Sequence, residues 1–234
     1  MIINIDKPYG WTSTDVVRKV RSAMVRNGYP KRVKVGHAGT LDPLATGVLL
    51  VCTEKDTKRV NELQAERKEY LFTVELGATT VSFDMEHPVS ERFAVEHITE
   101  EMIRAEAEKF RGEQMQVPPL YSAKRIDGQR AYELARSGQM DVEVRSAAIE
   151  IYEVEVVSIE MPYVTLRVEC SKGTYVRSIA RDLGEALGSG GYLTSLRRLR
   201  SGGYSAERSV SVEEAIETLI AHRAAVLDSE NAEQ

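Results

Sequence analysis

Residues 36–47 read GHAGTLDPLATG, a stretch with three glycines, one proline and a single carboxylate, Asp42. Gly36, Gly39 and Gly47 admit backbone angles closed to other residues, and Pro43 fixes the position after Asp42. The apolar run Val48–Val51 follows at once and reads as a buried strand. An acid mounted on such a loop, beside a core strand, is held in one orientation, as a catalytic carboxylate must be. Without partners, an Asp in a Gly/Pro loop is better read as an Asx turn, its carboxylate bonded to a backbone N–H two residues on.

Two partners are available. Tyr70 opens an alternating segment after the charged run 66–69. It offers either half-buried packing or a flat platform for a base, with a hydroxyl that can move a proton. Arg177 lies in SKGTYVRS, where Gly173 makes a turn and a helix begins. It falls early in that helix, next to the apolar positions Val176, Ile179 and Ala180, where the helix dipole opposes a cation. An inward-pointing arginine needs an anion, and Asp42 is a candidate. A guanidinium snorkelling to the surface fits the spacing equally well. His37, between two loop glycines, has no partner legible in the sequence. Lys7, Lys31, Arg32, Lys34, Arg197, Arg198 and Arg200 form two basic clusters suited to phosphates, though each alone is an ordinary solvated residue. Tyr9, Trp11, Tyr121 and Tyr132 put aromatic rings near basic residues, a combination that can stack unpaired bases.

The elements that must position these groups follow from periodicity. Residues 1–5 predict a short strand. A helix capped by Ser13 or Thr14 buries Val16, Val17, Val20, Ala23 and Met24. Strands are expected at 33–35, 48–53 and 70–76, with a charged helix over 56–65 and no clear period from 78 to 95. Thr99 caps a helix reaching Phe110. Residues 113–142 break the pattern: Pro118-Pro119 cannot sit in a central strand, Asp127-Gly128 is a turn signal, and 130–136 reads as a short basic helix. This segment reads as an inserted arm. Segments 147–159 and 163–170 predict a hairpin, 176–187 a helix, and 192–200 a strand. Ser211 and Glu214 form a capping box for a last helix, followed by a polar, frayed tail after Val226. Irregular alternation of strands and helices gives the α+β class with a mixed, mainly antiparallel sheet flanked by helices. The expected organisation is one catalytic domain over 1–226, containing the arm, and a tail over 227–234.

At 234 residues the chain can bury a sizeable core. No apolar run is long enough to span a membrane and the first residues carry no secretory signal, so a cytoplasmic location is expected. Cys52 and Cys170 sit in strand-like runs and read as buried thiols rather than a disulfide. No metal or nucleotide motif is visible, and no cofactor is expected. The net charge of −5 is unevenly spread: residues 1–62 carry 11 Lys/Arg against 6 Asp/Glu, and residues 163–208 carry 8 against 4. Brought together, these segments would make a cationic face on an acidic protein.

Six segments in order, DKPYGWTS (6–13), GHAGTLDPLATGVL (36–49), KEYLFTVELG (68–77), QVPPLYSAKRIDGQRAYELAR (116–136), SKGTYVRSIARDLGEALG (171–188) and LRRLRSGGY (196–204), strongly resemble the TruB family of tRNA pseudouridine synthases. The match runs from about residue 2 to 218. The resemblance implies the pseudouridine synthase fold and isomerisation of a uridine in the tRNA T loop, at position 55 in bacteria, by base flipping. It implies that Asp42 is the essential acid, that Tyr70 stacks on the target base, and that Arg177 pairs with Asp42. Leu196 then supplies an apolar wall, and His37 helps hold the opened loop. Segment 116–141 looks like the mobile arm that clasps the RNA. Lys7, Tyr121, Lys124, Arg130, Arg197 and Arg198 are assigned to RNA contact. The expected partner is the tRNA T arm, with no protein partner and a monomeric enzyme. Many relatives continue into a small RNA-binding module of the PUA type, and none is expected in this chain. A non-catalytic RNA-binding or tRNA-folding factor on the same fold is the alternative.

Overall fold

The computed structural model describes residues 1–122, 125–126, 129–130 and 144–232. The chain divides into two compact units, Met1–Lys68 with Arg197–Gln234, and Glu69–Leu196.

In the first unit, β1 (Ile2–Lys7) pairs antiparallel with β3 (Ala45–Thr53), Ile2 opposite Cys52 and Lys7 opposite Gly47. On its other edge β3 takes β2 (Val35–Ala38), with Val35 opposite Thr53. Leu49 and Val51 face one core cluster, with Ile3, Ile5, Val16, Val20, Met24, Val212 and Leu219. Val48, Leu50 and Cys52 face another, with Ala38 and Leu63. A strand buried on both faces must be apolar throughout, which explains its unbroken hydrophobic run. Helix α1 (Ser13–Arg26) covers the first face with Val16, Val20, Ala23 and Met24. Its cap is Thr12, in a reciprocal box with Asp15, rather than Ser13 or Thr14. Ser13 is instead buried and spent on Leu41, as described below.

The expected charged helix at 56–65 is a 3-10 turn, Glu54–Arg59, followed by α2 (Val60–Ala65). The strand expected at 33–35 begins only at Val35, because Val33 closes a turn on Pro30, and it continues through His37. β12 (Gly191–Ser201) ends in this unit, where Arg200 and Ser201 pair with β13 (Tyr204–Ser205). Helix α5 (Val212–Ala232) starts at the predicted Ser211–Glu214 box and continues past Val226, where a frayed tail was expected. Tyr29 donates to the Leu219 carbonyl at 2.8 Å and ties the end of α1 to it.

The second unit holds the strand order β4-β11-β10-β7. β4 (Lys68–Leu76) alternates as read, burying Tyr70, Phe72, Val74 and Leu76. β10 (Ala147–Glu160) and β11 (Tyr163–Cys170) form the predicted hairpin. β7 (Gly112–Gln116) pairs with β10, Gly112 opposite Ile151, so residues 113–116 belong to the sheet and not to the arm. Its polar side chains are those of a half-solvated strand, which shows no apolar alternation. The stretch at 78–95 contains two short strands, β5 (Ala78–Thr80) and β6 (Val89–Arg92). They escaped notice because β6 is largely exposed and carries no hydrophobic period. Within the arm, β8 (Arg125–Ile126) pairs with β9 (Gln129–Arg130), so Arg130 lies in a strand. The turn at 127–128 and the rest of the helix expected to Arg136 fall outside the described residues. Helices α3 (Glu100–Glu108), capped by Thr99, and α4 (Val176–Ala186) complete the unit. Cys52 and Cys170 are buried free thiols. Among the described residues no helix is long and apolar enough to cross a membrane.

Candidate active site

The loop from Gly39 to Leu44 is clamped through its backbone. Gly39 and Gly47 both have φ +98°, in the left-handed region. A Cβ on Gly47 would lie 2.2 Å from the Arg198 carbonyl oxygen, so only glycine lets the two backbones meet there. Two buried cations hold the loop. Lys7, 0% exposed, donates from Nζ to the carbonyls of Pro8 at 2.9 Å, Pro43 at 3.2 Å and, closer still, Trp11. Arg198, 1% exposed, donates to Val48 at 2.6 Å, Gly39 at 3.1 Å and Thr40 at 3.5 Å. Ser13 adds a reciprocal pair: Leu41 N–H donates to Oγ at 2.9 Å, and Oγ donates to the Leu41 carbonyl at 3.1 Å. The Gly10 N–H reaches the Pro43 carbonyl at 2.9 Å. Asp42 therefore sits between residues fixed on both sides, with its own side chain half-buried.

The electrostatics follow from this burial. Burial pushes the Lys7 ammonium down to about 8; the Asp42 charge works against that shift and Arg198 adds to it. The same field places two cations beside the Asp42 loop. His37, on β2, is pushed below the usual imidazole range by burial and then by Arg198, which favours its neutral form. Its Nδ1 is buried and has no hydrogen-bond partner among the described residues.

Lys7 and Arg198, expected at the RNA surface, are thus turned inward, and both donate to backbone carbonyls. Arg197, half-exposed, forks onto Asp6 at 2.7 and 3.0 Å, and Asp6 also accepts the Gly47 N–H at 3.1 Å.

In the second unit Arg177 is the second residue of α4 and is 5% exposed, so the inward orientation is the observed one. Its Nε lies 3.6 Å from the Asp84 carboxylate, and its Nη1 donates to the Ser82 carbonyl at 3.2 Å. Asp84 is itself organised: it accepts from Ser82 Oγ at 2.6 Å and from the Glu86 N–H at 3.0 Å. Phe83, between them, has φ +60°, an uncommon conformation for a bulky residue. It is held by the Leu193 N–H on its carbonyl at 3.0 Å and by the Arg181 guanidinium 5.1 Å from its ring centre. Asp84 was missed in the sequence because the stretch around it was read as featureless loop. The one available signal was an acid directly after Ser and Phe.

Tyr70 is 8% exposed on β4, and Leu196 is half-buried on β12. Tyr121 packs on His87, ring centres 4.5 Å apart. The start of the arm is tied to α4: Gln116 exchanges two hydrogen bonds with the Tyr175 backbone at 2.8 and 3.1 Å, and Ser178 Oγ donates to the Val117 carbonyl at 2.8 Å. Lys124 and the Arg130 side chain lie outside the described residues. Among the described residues no group of three or more His, Cys, Asp or Glu is placed to hold a metal.

The chain is similar over most of its length to known proteins. Residues 26–176 match the model of the TruB family pseudouridylate synthase N-terminal domain, and residues 177–230 match that of the tRNA pseudouridylate synthase B C-terminal domain. The chain is 49% identical over 212 residues to the tRNA pseudouridine synthase B of Phocaeicola vulgatus, covering 91% of this chain and 90% of that one. It is 50% identical over 207 residues to the enzyme of the same name from Bacteroides fragilis, covering 88% of each. Among solved structures it is similar to one chain of a Cbf5-Nop10-Gar1 complex, with TM-score 0.70 and 32% identity over 92% of this chain. A chain from an H/ACA RNP bound to a substrate RNA containing 2'-deoxyuridine gives TM-score 0.66 at 29% identity. The chain spans about half of those two chains, 53% and 52%.

Proposed function

This chain belongs to the TruB family of pseudouridylate synthases, isomerases that turn uridine into pseudouridine, and we propose that its target is uridine 55 in the tRNA T loop, with Asp42 as the catalytic carboxylate. The reaction breaks the C1′–N1 bond, turns the uracil and joins C5 to C1′. The proton lost from C5 is balanced by one gained at N1, so no redox change or group donor enters. Asp42 serves the cleavage, either as nucleophile or as the anion facing positive charge at C1′. A base inside a folded loop must first be flipped into a pocket. Tyr70 is assigned to stack on the flipped base and Leu196 to wall it. Arg177 is assigned as the counter-charge that keeps Asp42 ionised, and His37 is assigned to the opened loop. Tyr121, Lys124, Arg130 and Arg197 are assigned to the RNA.

The observation that carries this reading is the clamp. Two buried cations and a buried serine fix the backbone on both sides of one half-buried acid. Such preorganisation aims a carboxylate at a reacting atom without reorganisation during the reaction. The test is incubation with unmodified tRNA transcript, followed by mapping of pseudouridine. The expected product is a single pseudouridine at position 55 with the parent protein and none with Asp42→Asn, which still binds the RNA. Full turnover by Asp42→Ala, or modification confined to another position, would overturn the proposal.

A further inference from the structure

A groove of about 500 Å³ opens in the first unit between α1, β2 and the 3-10 turn leading into α2. It is lined by Arg21 of α1, Lys34 just before β2 and Lys58 of the 3-10 turn, with the polar side chains of Thr57 and Asn61 and the apolar Val35. Among the described residues no acid lines it. Arg21 is fixed in place: its Nη2 donates to the Lys31 carbonyl at 2.8 Å and its Nε to the Val33 carbonyl at 3.3 Å. A guanidinium has five N–H donors, so three remain for a ligand.

Two neighbouring cations in the same stretch are neutralised. Arg59 pairs with Glu62 at 2.7 Å, and the N-terminal amine pairs with Asp56 at 2.9 Å. Lys34 and Lys58 are exposed, and among the described residues neither has a carboxylate within ion-pair distance. Three cations converging on one cleft, in a chain of net charge −5, repel one another unless an anion joins them. β2 connects this groove to the Asp42 loop: Gly36 lines the groove and Gly39 opens the loop, three residues or about 10 Å along the strand.

We propose that this groove is a second RNA contact, holding backbone phosphates of the substrate away from the flipped nucleotide. The proposal rests on the tRNA reading above. Arg21 supplies a fixed fork for a phosphate, and Lys34 and Lys58 supply mobile charges on either side.

The test uses the full chain with unmodified tRNA transcript, and measures affinity by fluorescence anisotropy across a salt series. Lys34→Gln/Lys58→Gln should bind about tenfold more weakly at low salt. Its log Kd should depend less steeply on log salt, by about 1.4 to 1.8, because each phosphate contact contributes about 0.7 to 0.9. Turnover at saturating tRNA should be unchanged. Arg104→Gln/Lys109→Gln, removing two charges at α3 that are already paired to Glu100 and Glu106, should leave both quantities at the parent values. An unchanged affinity and slope in the groove variant would overturn the proposal, as would an equal loss in the α3 variant. Binding of inorganic phosphate that the groove variant abolishes, with RNA affinity intact, would also overturn it by reassigning the groove to a small anion. These readouts measure affinity, so absence of pseudouridine at position 55 would sink the functional reading while leaving the groove decided on its own.

Discussion

Lys7, fully buried, donates its Nζ to the carbonyl of Pro43 at 3.2 Å, one residue beyond Asp42. The ammonium costs stability where it is charged and buried, and it gives back three hydrogen bonds, one of which holds the loop at Pro43. Its folded value of about 8 lies below the 10.5 of the unfolded side chain. The folded state therefore binds fewer protons between those values, and stability must rise with pH across that window. The full gain is roughly 3 kcal/mol, present above 10.5 and lost as pH falls through 8. Urea unfolding of the parent and of Lys7→Met, run from neutral pH upward, should show this rise in the parent alone. Lys7→Met should also lose about tenfold in kcat, through a displaced loop. A parallel pH dependence in the two proteins would show that Lys7 keeps an ordinary pKa.

Much of this loop was legible beforehand, and the reason is chemical. Glycine at φ +98° and proline after the acid leave few other conformations, so the composition of residues 36–47 already announced a rigid turn. The continuous apolar run of β3 and the alternation of β4 and β11 were equally readable, because burial on both faces and burial on one face leave different periods. What was not legible was the direction in which a long cation points. Lys7 and Arg198 look like surface residues in a one-dimensional pattern, and only the folded chain shows that backbone carbonyls take up their donors. Asp84 was hidden for the same reason, since its partner Arg177 lies 93 positions later. Strands β5, β6 and β7 were missed because short or half-solvated strands bury too few side chains to show a period.

The contact of Gly47 with Arg198 predicts a steep contrast between two glycines of similar backbone angle. Gly10 has φ +81° with nothing within 4 Å of an added Cβ, so Gly10→Ala pays only for the left-handed backbone, about 1 kcal/mol. Gly47→Ala adds a clash at 2.2 Å with the Arg198 carbonyl, which cannot move without breaking the strand. Its cost should exceed about 4 kcal/mol, and thermal melts followed by circular dichroism should show either a large fall in midpoint or no folded protein. Equal losses for the two variants would mean that β3 and the Arg198 strand residue separate easily.

Arg177 and Asp84 predict a loss of turnover larger than the loss of RNA binding. Asp84→Asn keeps the shape of the side chain and removes the charge, so the Arg177 guanidinium loses one of the groups that orient it while the fold around Phe83 is retained. With Arg177 assigned to Asp42, kcat should fall at least about tenfold. The affinity for tRNA, measured by anisotropy, should stay within a factor of about two, because Asp84 is buried away from solvent. A pure binding defect with normal turnover at saturation would remove Arg177 from the catalytic assignment.

Two ion pairs then separate geometry from burial. Arg197 reaches Asp6 through two short bonds, 2.7 and 3.0 Å, with both side chains a little over one-third exposed. Arg177 reaches Asp84 at 3.6 Å, yet their side chains are 5% and 7% exposed. Distance alone ranks the Asp6 pair as the stronger. Burial reverses the order, because solvent screens the exposed pair and screens the buried one little. Asp6→Asn should therefore cost under about 1 kcal/mol, part of it from the Gly47 N–H, and the cost should shrink in high salt. Asp84→Asn should cost more, about 2 kcal/mol from weakened charge-assisted contacts with Ser82 Oγ, the Glu86 N–H and Arg177, nearly independent of salt. Guanidinium chloride is itself a salt and would blur the comparison, so urea midpoints at low and high sodium chloride are the measurement. A salt-sensitive loss in Asp84→Asn would mean that water reaches the Arg177 guanidinium, and the buried pair would then lose its claim to organise the site.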